Sequence, residues 1–153
     1  MKKSLALLAL ASLFIGTTSC RKKDEPKPVV PVLPNTIDAS ADAATIKNAQ
    51  AVLTVQANSI VYISPKKGLN ILGATMDKSD STKFTVGPSG LLGINGNVEM
   101  LTIQSDDATE ISLSKPSSQL KRLRILSKSR NASAAKTTID LSGATELEGL
   151  LVA

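Results

Sequence analysis

The residues able to do chemistry are few, and their types narrow what that chemistry can be. The chain has 153 residues, no His, no Trp and a single Cys, Cys20. A Ser-His-Asp triad, a Cys-His dyad, a His-ligated metal and a disulfide within the chain are therefore excluded. The densest acidic group is Asp106, Asp107 and Glu110. Paired carboxylates can do acid–base work or bind calcium, but this group lacks the glycine of a calcium-loop turn and reads as a solvated loop. The densest basic group runs from Lys115 to Lys136, with no acid between Glu110 and Asp140. Within it Lys121, Arg122 and Arg124 are the candidate contacts for an anionic ligand. A guanidinium pair on a rigid strand matches the oxygens of sulfate, carboxylate or phosphate. The alternative is a solvated face that keeps a sheet edge soluble. With no nucleophile beside a base, the expectation is a binding protein, not an enzyme, with no cofactor and no metal.

The element that would position these arginines is visible in the residues between them. Leu123 and Ile125 alternate with Arg122 and Arg124, a period of two that predicts a half-buried strand with the arginines facing out. The same short pattern recurs at Leu53-Thr54-Val55, Val61-Tyr62-Ile63, Phe84-Thr85-Val86, Leu101-Thr102-Ile103, Ile111-Ser112-Leu113, Ile139-Asp140-Leu141 and Leu150-Leu151-Val152. Breakers separate the copies: Pro65, Gly68, Gly87-Pro88, Asn95-Gly96-Asn97 and Lys115-Pro116-Ser117-Ser118. Asn95-Gly96 is also a hairpin-turn dipeptide, a signal for antiparallel strands. One short helix is predicted in the Ala-rich stretch from Ala39 to Gln50. Aromatic residues are confined to Phe14, Tyr62 and Phe84, which argues against an aromatic-lined pocket or a base-stacking platform.

Some copies extend to a longer phrase. Val98-x-x-Leu101-x-Ile103, Leu120-x-x-Leu123-x-Ile125 and Leu147-x-x-Leu150-x-Val152 are spaced by 22 and 27 residues. A second phrase, Ile111-Ser112-Leu113-Ser114 and Ile139-Asp140-Leu141-Ser142, alternates with it, with a faint early copy at Ile37-Asp38-Ala39-Ser40. Residues 98–153 resemble the leucine-rich repeats of Bacteroidetes surface proteins, with a weaker resemblance back to about residue 51. The resemblance implies a mostly β, leucine-rich-repeat-like solenoid of short strands whose stacked turns share one aliphatic core. It also implies adhesion or recognition as the activity. A β-sandwich of ordinary short strands is the alternative fold. No polar capping unit follows Leu150-Leu151-Val152, so self-association through this C-terminal edge is expected.

The first residues carry a different kind of information. Met1-Lys2-Lys3 precedes an apolar run of 12, Leu5 to Gly16, too short to span a bilayer and suited to a signal peptide. Thr17-Thr18-Ser19-Cys20 follows, and here the segment resembles a bacterial lipoprotein signal. The resemblance implies that residues 1–19 are removed and that the Cys20 sulfur carries lipid. Residues 20–35 then form a tether holding four of the chain's seven prolines, which favours extended polyproline II. Arg21 in place of Asp after the Cys gives no sign of inner-membrane retention. Lys23-Asp24-Glu25 resembles the surface-export address of Bacteroidetes lipoproteins; a plain solvated linker is the alternative. Most of the formal charge of +5 lies in residues 1–27, so the basic balance does not support nucleic-acid binding. Asp80-Ser81-Thr82 resembles the short O-glycosylation site of the same bacteria, with Ser81 the candidate acceptor and a plain polar loop the alternative. The expectation is a lipid-anchored outer-membrane protein, exposed at the cell surface, with a β-rich domain over residues 36–153. Its partners would be the membrane, through the N-terminal lipid, and a protein or glycan ligand. The alternative role is a structural accessory subunit of an envelope complex.

Overall fold

The computed structural model describes residues 34–115, 119–127 and 137–153. All belong to the compact unit Pro31–Ala153. Cys20, Lys23, Asp24, Glu25 and the signal-like segment lie outside the described residues, as do Lys128, Arg130 and Lys136 of the basic stretch.

The chain alternates between two six-stranded sheets. The first holds β1 (Thr36–Asp38), β2 (Ala51–Val55), β4 (Leu69–Leu72), β7 (Leu91–Gly96), β9 (Ala108–Ser112) and β11 (Thr138–Asp140), in the order β1-β4-β7-β2-β9-β11. The second holds β3 (Ile60–Ser64), β5 (Ala74–Met76), β6 (Lys83–Val86), β8 (Met100–Gln104), β10 (Arg122–Leu126) and β12 (Gly149–Val152), in the order β12-β10-β8-β3-β6-β5. Alternating side chains from both sheets meet in one aliphatic core. Leu53, Ile71, Leu92 and Ile111 come from the first sheet, and Val61, Ile63, Phe84, Ile103 and Leu123 from the second. Phe84 is the one aromatic among the core residues, and it is fully buried.

The protein is thus mostly β, as expected, but it is not a solenoid; the β-sandwich-like alternative fits better. The repeat phrase does set local pairing. Strands β8, β10 and β12 run parallel, with Leu101 beside Leu123 and Leu123 beside Leu150, and β9 runs parallel to β11 with Ile111 beside Ile139. A solenoid needs every strand of a sheet to follow the last in the same direction. Here β2 lies between β7 and β9 and β3 between β6 and β8, antiparallel to both neighbours in each case. The faint phrase at Ile37 forms β1, which pairs with β4 far from the other copies.

The helix forms within the Ala-rich stretch, as α1 (Ala43–Lys47). The Asp42 carboxylate caps it, accepting a hydrogen bond from the Thr45 N–H at 2.7 Å. Its apolar side chain Ile46 is buried against Ala49 and Leu72, closing the outer face of the first sheet. Gly93 of β7 permits this approach: a Cβ there would stand 2.9 Å from Ala49 Cβ and 3.2 Å from the Ile46 carbonyl oxygen. Asn95-Gly96 is not a hairpin turn. Asn95 Oδ1 accepts from the Gln50 N–H at 2.9 Å, and the Gly96 N–H donates to Gln50 Oε1 at 2.7 Å, so the dipeptide locks the entry to β2. No helix among the described residues is long and apolar enough to cross a membrane.

Four loops use one device, an aspartate that accepts hydrogen bonds from a Ser or Thr two residues on: Asp38 and Ser40, Asp77 and Ser79, Asp80 and Thr82, Asp140 and Ser142. The hydroxyl and N–H of Ser79, joined by the Lys83 ammonium at 3.1 Å, hold Asp77 far below the usual carboxylate range. Thr82 lowers Asp80, chiefly through its hydroxyl, and Ser142 lowers Asp140, chiefly through its N–H. A carboxyl whose folded pKa is depressed contributes stability above its unfolded value and loses it as pH falls toward the folded one. The melting temperature should therefore hold from neutral pH down to about 5 and fall below about 4, near the unfolded Asp value. Asp77→Asn should make that acid-side slope shallower. Thermal unfolding followed by circular dichroism at stepped pH checks this; identical slopes for the two proteins would remove Asp77 from the acid response.

Candidate functional site

The arginine strand forms as its alternation requires. Leu123 and Ile125 of β10 enter the core, at 1% and 8% exposure, which fixes Arg122 and Arg124 on the outer face of the second sheet. Consecutive same-face residues on a strand are about 6.5–7 Å apart, so the two guanidiniums rise from neighbouring positions on one rigid edge region. The parallel register supplies their surroundings. Arg122 lies between Met100 of β8 and Gly149 of β12, and Arg124 lies between Thr102 and Leu151. Gly149 leaves the space beside Arg122 open, since an added Cβ there would come into ordinary contact with Arg122 Cγ at 3.8 Å.

Together these residues line an open groove of about 590 Å³, whose walls include Met100, Arg122, Arg124, Glu148 and Leu151. Met100 and Leu151 are exposed, at 47% and 42%. The face thus offers two positive groups flanked by two apolar side chains. Among the described residues neither guanidinium forms a salt bridge.

Lys121, the third candidate, stands apart from this pair. Its ammonium is bonded to Glu148 Oε1 at 3.0 Å, and that carboxylate raises the lysine pKa. The pair is exposed and contributes little to stability. Its geometric effect is to hold the Glu148 carboxylate of the groove wall on Lys121 and not on either arginine. Met100, Glu148, Gly149 and Leu151 are the site residues that sequence reasoning missed. The signal was present: the 22- and 27-residue spacings that align Leu101, Leu123 and Leu150 also align Met100 with Arg122, Lys121 with Glu148 and Arg124 with Leu151.

The other candidates are resolved differently. Asp107 accepts from the buried Ser59 hydroxyl at 3.0 Å, and Asp106 from the Ser127 hydroxyl at 3.0 Å, so both carboxylates serve to tie loops together. A second open cavity of about 530 Å³ beside them is lined by Gln56, Asn58, Ser59, Tyr62 and Asp107. Among the described residues no three His, Cys, Asp or Glu side chains converge. Ser81 lies half-buried in the β5–β6 loop, between Asp80 and the Thr82 whose hydroxyl is 2.6 Å from Asp80 Oδ1. No family model, curated protein or solved structure matches the chain.

Proposed function

We propose that this chain is a lipid-anchored binding module of the bacterial outer surface, and that the outer face of β10 contacts an anionic partner of the sulfated or carboxylated glycan type. The observation that carries the reading is the pair Arg122 and Arg124, without a salt bridge among the described residues, on a rigid strand and flanked by Met100 and Leu151. Guanidinium forks grip sulfate or carboxylate oxygens in a fixed geometry, while apolar side chains beside them accept the carbon face of a sugar ring. The groove is open and shallow, which suits a polymer lying along the sheet better than a small molecule enclosed in it. Support for the anchor comes from the sequence: Cys20 closes a signal-like segment, Lys23-Asp24-Glu25 resembles an export address, and a Pro-rich stretch of the kind that favours extended linkers follows.

The test is retention of the full-length protein, in mild detergent, on a heparin resin. Wild type should bind at low salt and elute as salt rises, as an electrostatic contact requires. Arg122→Glu with Arg124→Glu should weaken binding tenfold or more, since a hydrogen bond to a charged group contributes roughly 1.5–3 kcal/mol. Both proteins keep the basic tether, so the difference reports on β10 alone. Failure of wild type to bind at low salt, or equal retention of the folded double variant, would return this face to solvated surface.

A further inference from the structure

Four strands form the edges of the two sheets, and each carries or abuts an acidic residue. Asp38 ends β1, Asp140 ends β11, and Asp77 follows β5 directly. Charge at an edge discourages further strand pairing. The fourth edge, β12, is preceded by Glu148, whose carboxylate is held by the Lys121 ammonium at 3.0 Å, and its own residues Gly149-Leu150-Leu151-Val152 are uncharged. Its side chains are exposed on both faces: Leu150 and Val152 toward the core side, at 48% and 55%, and Leu151 on the outer face at 42%. Parallel strands are normally covered on both faces, so this edge is out of keeping with its own sheet.

The hydrogen bonds define what can dock there. Gly149 and Ala153 donate to the Lys121 and Ile125 carbonyls, each at 3.0 Å, and the Ala153 carbonyl accepts from Ser127 at 2.8 Å. A parallel ladder uses alternate residues, so Leu150 and Val152 direct their N–H and C=O groups to the open side. We infer that β12 pairs antiparallel with β12 of a second copy, about a two-fold axis at Leu151. In that register Leu150 exchanges both backbone hydrogen bonds with Val152 of the second copy, and Val152 does the same with Leu150. The strand is therefore its own complement: hydrogen-bonding residues meet hydrogen-bonding residues, aliphatic meets aliphatic on each face, and no like charges are opposed. A two-fold contact of this kind closes on itself and does not propagate into fibres.

The dimer also bears on the proposed ligand face. A two-fold axis normal to the sheet keeps both outer faces on one side. Two β10 strands would then lie three strand spacings apart, about 14 Å, with four guanidiniums flanking a central strip of two Leu151 side chains. A polyanionic chain could engage both copies at once, which raises its avidity without any new kind of contact.

The register makes the inference testable in the full-length, lipidated protein. Directly opposed non-hydrogen-bonded residues have Cα atoms about 4.5 Å apart, within disulfide range. Leu151→Cys should therefore give a disulfide-linked dimer under mild oxidation on a non-reducing gel. Leu150→Cys should not, because its counterpart lies two residues out of register, beyond about 7 Å. Leu150→Lys added to Leu151→Cys should abolish the cross-link. No dimer from Leu151→Cys, or equal cross-linking at both positions, would overturn the inference, the second outcome indicating unspecific association. Cross-linking reads the edge and heparin retention reads the arginines, so either idea can fail without the other.

Discussion

Cys20→Ser is expected to move the protein out of the membrane fraction. The substitution changes one atom, sulfur to oxygen, and removes the only thiol of the chain. A thiol ionises near pH 8.5 and its thiolate is a strong nucleophile, whereas a hydroxyl at neutral pH is not. If Cys20 takes lipid, the variant cannot, and the anchor disappears as a whole. Each buried methylene contributes about 0.8 kcal/mol to membrane attachment, and stable anchoring takes two chains. Loss of both leaves the tether's basic residues as the remaining attraction to an anionic surface, and that attraction is screened by salt. Fractionation of cells expressing each protein, with the membrane pellet washed at high salt, is the measurement. Wild type should stay with the pellet and Cys20→Ser should appear in the soluble fraction. Equal retention of the two after the wash would remove the lipid anchor from the account.

Where the chain was legible, it was so through side-chain period and spacing. The alternation of Arg122, Leu123, Arg124 and Ile125 fixes which pair faces out, because a one-residue slip would bury both arginines. The phrase around Leu101, Leu123 and Leu150 marks β8, β10 and β12 as neighbours in register, since each places two aliphatics on the same face, buried in β8 and β10 and exposed in β12. Ile111 and Ile139 do the same for β9 and β11. The groove beside Arg122 and Arg124 follows from that alignment, and only its neighbours across the ladder went unread.

Strand direction was not legible. Leu53-Thr54-Val55 alternates in the same way whether its neighbours run with it or against it, and the structure sets β2 antiparallel to both β7 and β9. That reversal is what turns repeat-like sequence into two mixed sheets. Asn95-Gly96 misled for a related reason. The dipeptide tolerates a tight turn, but here its polar groups answer the Gln50 side chain and backbone, a partner 45 residues away in the chain. The seat of α1 on Gly93 likewise depends on two segments meeting in space, and no local pattern announces it.

Phe84→Ala is expected to be the most damaging single substitution in the β domain. Phe84 is wholly buried, and on β6 it lies opposite Val61 of β3 on one side and Met76 of β5 on the other. Every other member of the core cluster is aliphatic, so no second ring can shift to fill the vacated volume. Truncating a buried Phe costs about 3–5 kcal/mol, the transfer of the lost carbons plus the cavity they leave. Domains of this kind are stable by roughly 5–15 kcal/mol in total, so the variant should retain little margin. Phe84→Leu keeps most of the volume and should cost clearly less. The damage should reach the arginine face, because β6 pairs with β3, β3 with β8 and β8 with β10. Urea unfolding of the three proteins gives the stability order, and heparin retention at each urea concentration gives the fate of the site. Retention should disappear at the same midpoint as the β signal. A Phe84→Ala midpoint equal to wild type would show that this end of the core does not support the second sheet. Retention persisting after the β signal is gone would place the anion contact in the basic tether and not on β10.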